Sequence, residues 1–281
     1  MADHGLPIGV NLGSMGADPT WWLAAARRLG DAGYRGLWCW DHFMGRKAAP
    51  IPVVEAWTAL SLAAGTTERI EVGPFVMNVM NRHPAVVAGM AATLHAMSVG
   101  RLVLGIGIGG GADEHEALGI PFPTAKERVE RLREAVAVMR ALWTGAVVTR
   151  ESPYYPLVNA AGMALASPPP VIVGGETRTG ARLAAEIGDG WTAYAVNFRQ
   201  SLPVYLEALA AAGRPRDRQR VLVAFQGGPF LTAEDGDPLA AWCNQPRETW
   251  EEWRAAGADG AILTAASEAD VQRLVAAANR W

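Results

Sequence analysis

Asp41 and His42 carry the clearest chemical signal in this chain. They stand side by side just past the aromatic run Trp38-Cys39-Trp40 and ahead of Phe43. An imidazole titrates near neutrality, so His42 is a candidate to give or take a proton at a reacting centre. The alternative is a structural histidine satisfied by backbone. Two glycine-rich stretches offer room for a ligand. The run 105–111, Gly-Ile-Gly-Ile-Gly-Gly-Gly, matches the GxGxxG dinucleotide pattern in form. That pattern should enter a helix at once and open a βαβ unit. Here the stretch 112–123 is broken by Gly119, Pro121 and Pro123, and three strand–helix units precede it. Gly107 and Gly109 better suit a loop that approaches a flat cofactor ring. Gly174-Gly175-Glu176-Thr177-Arg178 leads into a helix, whose free N–H groups attract phosphate. Arg178 adds charge, and Glu176 opposes it unless it points away. A plain tight turn is the competing reading. The five histidines, at 4, 42, 83, 95 and 115, form no HExxH or close ligand pair, so metal binding is not expected.

Positioning these residues requires a scaffold, and the pattern supplies one. Short runs rich in Val, Ile and Leu at 7–12, 36–40, 70–77, 102–106, 171–173, 190–194, 221–225 and 260–263 read as strands. Helical patterns alternate with them at 21–33, 54–64, 85–97, 126–143, 179–187, 202–212, 247–256 and 268–278. Such alternation predicts a parallel sheet with right-handed crossovers, and eight units fit a closed α/β (β/α)8 TIM barrel; a doubly wound open sheet is the alternative. Thr124-Ala125-Lys126-Glu127 reads as a capping box, and Pro84 suits a first helical turn. The stretch 145–170, with five prolines, reads as an inserted excursion on the rim after strand four, within one domain spanning 1–281. In a barrel the chemistry sits at the C-terminal strand ends. The polar residues there are Asn11, Asp41, His42, Asn78, Asp113, Glu114, Thr177, Arg178, Asn197, Gln226 and Thr264. Strand ends also run into polar loops for no functional reason.

Composition narrows the partners. Half of the 281 residues are hydrophobic, enough for one large core, and a net charge of −3 gives no reason to expect nucleic acid or an anionic membrane. Two isolated cysteines make no disulfide framework, and no segment reads as a leader or membrane span, so a reducing cytoplasm is expected. The helices at 57–64 and 85–97 are apolar on nearly every face, which predicts a cover on the side away from the strands, most simply a second subunit.

With these residues in place, the chain resembles the luciferase-like monooxygenases, particularly the branch that uses the deazaflavin coenzyme F420. The similar pieces are GYRGLWCWDHF (33–43), TERIEVGPFVMNVMNRHPAVVAGMAATLHAMSVGRLVLGIGIGGG (67–111), EALGIPF (116–122), ERLREAVAVMRALWTG (130–145) and PPVIVGGETRTGARLAAEIGDGW (169–191). They cover the first two-thirds of the chain; the rest matches only in its strand–helix rhythm. The resemblance implies a barrel with an isoalloxazine-like ring across its mouth and hydride transfer to or from that ring. It also implies a homodimer through the second and third helices. Asp41 and His42 then correspond to an aspartate–histidine pair beside the ring, with His42 the proton donor or acceptor. Gly174 and Gly175, with Thr177 and Arg178, correspond to a phosphate loop. Phe75-Val76 corresponds to a bulge with a non-proline cis peptide that supports the ring, and Asn11, Asn78, Gly107 and Gly109 fall on the same cofactor side. One departure stands out: F420-dependent sugar-phosphate dehydrogenases of this group place a catalytic glutamate where this chain has Gly110. The expected activity is therefore an F420-dependent oxidoreductase acting on a small organic molecule, with a pocket opened near Gly110. An FMN-dependent monooxygenase and a non-catalytic flavin-binding barrel are the alternatives.

Overall fold

The computed structural model describes residues 5–232 and 236–281; His4 lies outside them. Eleven strands form among the described residues: β1 (Leu6–Leu12), β2 (Tyr34–Cys39), β3 (Glu71–Pro74), β4 (Met77–Asn78), β5 (Leu104–Gly107), β6 (Val148–Arg150), β7 (Leu157–Ala160), β8 (Val171–Gly174), β9 (Gly190–Tyr194), β10 (Arg220–Ala224) and β11 (Gly260–Ala265). All but β6 and β7 join one parallel sheet in the order β3-β2-β1-β11-β10-β9-β8-β5-β4. The ring closes where Val72 N–H donates to the Arg101 carbonyl at 3.0 Å and Val103 N–H to the Val72 carbonyl at 2.9 Å. β3 and β4 are one stave interrupted at Phe75–Val76, whose peptide bond is cis. The result is a (β/α)8 barrel.

Small residues make the barrel interior possible. Trp38 is 2% exposed and fills the centre with Trp40, Phe75, Val103, Ile172, Leu222, Ala224 and Ile262. A Cβ at Gly9 would stand 2.4 Å from the Trp38 indole nitrogen, and one at Gly73 would stand 2.9 Å from its ring. Glycines on neighbouring staves therefore vacate the space that one indole occupies. Truncating a buried tryptophan of this kind typically costs about 3–5 kcal/mol.

The helices are α1 (Pro19–Asp31), α2 (Ala56–Thr66), α3 (Pro84–Met97), α4 (Ala112–Leu118), α5 (Ala125–Trp143), α6 (Arg178–Ile187), α7 (Ala195–Ala211), α8 (Ala240–Asn244), α9 (Pro246–Ala255) and α10 (Glu268–Ala278). The Thr124 hydroxyl accepts from Glu127 N–H at 3.3 Å, and Pro84 opens α3, as their patterns predict. Three segments differ from the sequence reading. The stretch after Gly111 does form a helix at once, because Gly111 at φ 81° turns the chain into α4 and Gly119 at φ 65° ends it. It is only seven residues long and serves a barrel, so the dinucleotide reading still fails. Helix α7 starts seven residues before the expected Leu202, with Pro203 inside it. Its early turn is held by Phe198, fully buried and stacked on Trp191 at 5.3 Å. The excursion 145–170 contains the antiparallel β6–β7 hairpin.

Helices α2 and α3 bury one face against the barrel and leave apolar side chains on the other. Leu62, Val86 and Met97 are 55%, 57% and 80% exposed. A groove of about 500 Å³ runs between the two helices, lined by Trp57, Gly65, Gly89, Met90, Leu94 and Met97 among others. No helix among the described residues is long and apolar enough to cross a membrane.

Candidate functional site

The C-terminal ends of the staves open into a cavity of about 1010 Å³. That is the size of a site for a large organic cofactor or drug-sized ligand, and its position is where barrels keep their chemistry. Of the residues singled out by sequence, Asp41, His42, Phe75, Val76, Asn78, Gly107, Gly109, Gly174, Gly175, Thr177 and Gln226 line it. Asn11 and Arg178 do not. Asn11 is fully buried beneath the mouth, with its amide donating to the Thr264 hydroxyl at 3.4 Å.

Steric fit explains the glycines. The bulge at Phe75–Val76 carries Val76 across the barrel end, where a Cβ at Gly107 would stand 2.9 Å from its Cγ2 and one at Gly174 would stand 3.1 Å from it. A Cβ at Gly105 would lie 2.2 Å from the Pro74 carbonyl oxygen. Bare backbone on β5 and β8 thus lets Val76 form a level floor between them. Gly109, at φ 79°, turns the chain closely over the Asn78 side chain. No Cβ contact would arise at Gly110, which faces open space.

His42 is held by Glu114, one of the polar residues beyond the strand ends. Its Nδ1 lies 2.7 Å from Glu114 Oε2, and the other Glu114 oxygen accepts N–H groups from Phe43 and Met44, the latter at 3.0 Å. Glu114 sits in the first turn of α4, so the short helix missed in the sequence is the element that fixes the imidazole. Burial pushes the Glu114 carboxyl up, but the bonds from His42 and the two backbone N–H groups outweigh it and hold the pKa below the usual carboxylate range. With Nδ1 engaged, Nε2 is the nitrogen left for the cavity.

Asp41 takes a different part from its neighbour. Its carboxylate is fully buried and accepts two bonds from Arg82, at 2.8 and 3.0 Å, and others from Asn78 N–H and the Asn81 amide. Arg82 continues to Glu55 at 2.6 Å, and Glu55 caps α2. Burial raises the Asp41 pKa, and these donors oppose the rise. The group ties the turn carrying His42 to α2 and to the segment before α3. Asn78 completes the lining; its amide lies 2.8 Å from His115 Nε2, and burial lowers the His115 pKa.

On the far side, Gly175 packs against Gly180, with 2.8 Å between the Gly175 Cα and a Cβ placed at Gly180. Thr177 caps α6 through Gly180 N–H at 3.1 Å. Glu176 turns away from this anion-friendly end. It accepts from Tyr194 N–H at 3.0 Å and from the Asn197 amide at 2.9 Å, and burial raises its pKa. The cations on the cavity wall are Lys126 and Arg133 of α5, and Arg178 does not line it. Among the described residues, no three His, Cys, Asp or Glu side chains are arranged to hold a metal ion.

The family model described as luciferase-like monooxygenase matches residues 7–228, from the first stave to the turn after β10. The chain belongs to the luciferase-like monooxygenase family. Within this luciferase-like group, the chain is 36% identical over 219 residues to a protein of Intrasporangium calvum named F420-dependent glucose-6-phosphate dehydrogenase, covering 70% of this chain and 65% of that one. It is 37% identical over 158 residues to the phthiodiolone/phenolphthiodiolone dimycocerosates ketoreductase of Mycobacterium tuberculosis, covering 49% and 40%. The chain thus spans just under two thirds, or less, of the length of these relatives. Among solved structures, it superposes on an F420-dependent secondary alcohol dehydrogenase in complex with an F420–acetone adduct with a TM-score of 0.81 at 21% identity, over 97% of this chain and 96% of that one. At that identity the likeness speaks for the fold.

Proposed function

We propose that this luciferase-like protein is a coenzyme F420-dependent oxidoreductase that transfers a hydride between the deazaflavin ring and a small organic substrate, with His42 as proton donor or acceptor. The observation that carries the reading is the cavity floor: Val76 presented flush between Gly107 and Gly174, with His42 fixed at the wall by Glu114. The names of the relatives support it.

The residues present fit such a cofactor. Cβ atoms at Gly107 or Gly174 would crowd Val76 and disturb the level surface on which a planar ring would lie. Gly175, Thr177 and Gly180 offer the start of α6 to its phosphate, with Lys126 nearby. When bound, the deazaflavin supplies a carbon that accepts or releases hydride. The protein's own share is positional and protonic. Glu114 keeps His42 Nδ1 occupied, which leaves Nε2 for a substrate oxygen; Asp41, through Arg82, keeps the turn in place; Asn78, on the cavity wall, would border the ring. Gly110, where sugar-phosphate dehydrogenases carry a glutamate, faces open space and argues against a sugar-phosphate substrate. Cys39 and Cys243 are both free and buried, in keeping with work in a reducing cytoplasm.

Titrating the purified protein with F420, FMN and FAD, following cofactor fluorescence, tests the reading. F420 is expected to saturate one site per chain while the flavins bind far more weakly. Saturation by FMN with no response to F420 would favour the oxygen-activating chemistry of an FMN-dependent monooxygenase instead.

The same reading includes a homodimer through α2 and α3. Exposed Leu62, Val86 and Met97 beside the groove form a patch that a monomer rarely leaves in water. Light scattering is expected to give twice the chain mass at micromolar concentration, and Met97→Glu is expected to shift it toward the monomer. A clean wild-type monomer would remove the dimer.

A further inference from the structure

We propose that Trp40, Tyr194 and Phe230 form the substrate's seat beside His42, and that this seat takes an uncharged compound with an apolar body and one oxygen, which accepts a hydrogen bond from the Tyr194 hydroxyl. This rests on the cavity being a hydride-transfer site and adds what that site receives.

The sheet order places β2 and β9 on opposite sides of the ring, with β1, β11 and β10 between them. Trp40, one residue past β2, and Tyr194, the last of β9, both line the cavity. Phe230, from the turn after β10, meets Trp40 edge-on at 4.8 Å and lies 6.4 Å from the His42 ring. Phe75 meets Tyr194 edge-on at 6.0 Å. The wall next to His42 is therefore aromatic.

The polar atoms carried by its rings, the Trp40 N–H and the Tyr194 hydroxyl, are neutral. The Trp40 Nε1–H is buried and has no partner among the described residues. An indole N–H can only donate, so it too is left without an acceptor. The Tyr194 phenol is pushed up to about 12, first by burial and then by the Glu176 charge. Tyr194 thus keeps its proton at neutral pH. Tyr194 lines the cavity, and no described residue accepts its O–H, which is left to seek an acceptor. A half-buried donor without a partner is costly, and a ligand oxygen removes that cost.

Charge excludes the other class of ligand. The cations on the cavity wall, Lys126 and Arg133, both belong to α5, and Arg133 is held by Glu186 at 2.6 and 3.0 Å. Arg46 lies over Phe230 at 5.8 Å but does not line the cavity, and it donates to the Pro229 carbonyl at 2.9 Å. The carboxylates near the seat, Glu114 and Glu176, carry the wrong sign for an anion. A phosphate placed beside His42 would lose its water and find no counter-ion.

Calorimetric titration of the F420-loaded protein with cyclohexanone, cyclohexanol and glucose 6-phosphate tests this. Cyclohexanone and cyclohexanol are expected to bind, and glucose 6-phosphate is not. Tyr194→Phe should weaken the two uncharged ligands about tenfold, the scale of one lost hydrogen bond, while F420 affinity and thermal stability stay close to wild type. Trp40→Phe keeps a ring and removes the N–H, and a smaller loss is expected. Equal binding by Tyr194→Phe, preference for glucose 6-phosphate, or no binding of either uncharged probe would overturn the proposal. Should F420 itself fail to bind, the cofactor reading has failed separately, and the same ligand preference is then measured on FMN-loaded protein.

Discussion

Replacing His42 with alanine is expected to lower turnover by about 100-fold or more, the usual scale for a positioned general acid or base. Cofactor affinity should change much less, because the ring's floor is made by Val76 and the glycines around it rather than by the imidazole. Glu114→Gln keeps one acceptor oxygen, enough for His42 Nδ1 or for the backbone N–H groups but not for both, and removes the carboxylate charge. A smaller loss of turnover is expected than for His42→Ala. Steady-state kinetics beside a fluorescence titration of cofactor provide both readings. Unchanged turnover in His42→Ala would take the imidazole out of the chemistry.

The largest expected effect on stability comes from Arg82→Ala. Asp41 has no exposed side-chain surface, and Arg82 supplies its counter-charge through two bonds. Removing one partner of a buried pair typically costs about 3–5 kcal/mol, because the remaining charge has neither water nor counter-ion. For a domain whose total stability is on the order of 5–15 kcal/mol, that is a large share. Equilibrium denaturation should register it. Adding Asp41→Asn to Arg82→Ala should recover part of the loss, since the stranded charge goes with it. A single variant as stable as wild type would show that Asn78 and Asn81 suffice to hold Asp41.

The barrel was legible because its staves are buried on both faces and so read as short apolar runs, each followed by a helix. The interruption at Phe75–Val76 was also legible: Gly73-Pro74 is a poor strand sequence, and the resemblance pointed to the bulge. Helix α4 was not. Glycines flank it and prolines follow, so local propensity argues against it, and what holds it is tertiary: Glu114 receives His42 and two N–H groups from a loop some seventy positions earlier in the chain. For the same reason Glu114 appeared only as one polar strand-end residue among many. The Asp41-His42 pair shows the converse limit. Adjacency in sequence suggested a joint chemical role, yet successive side chains point apart, and here one meets Arg82 while the other meets Glu114. Arg178 stands beside the glycine loop in sequence but does not line the cavity, whereas Lys126 and Arg133, distant in sequence, do.

The most direct test of the account is an anaerobic reaction of the protein with reduced F420 that carries deuterium at its hydride position, together with a panel of uncharged ketones. The account predicts that reduced cofactor disappears only with ketone present, that the product alcohol carries the deuterium on its carbinol carbon, and that His42→Ala slows both events together. Turnover that instead requires O2 and FMN, with no label passing from F420 to product, would contradict it.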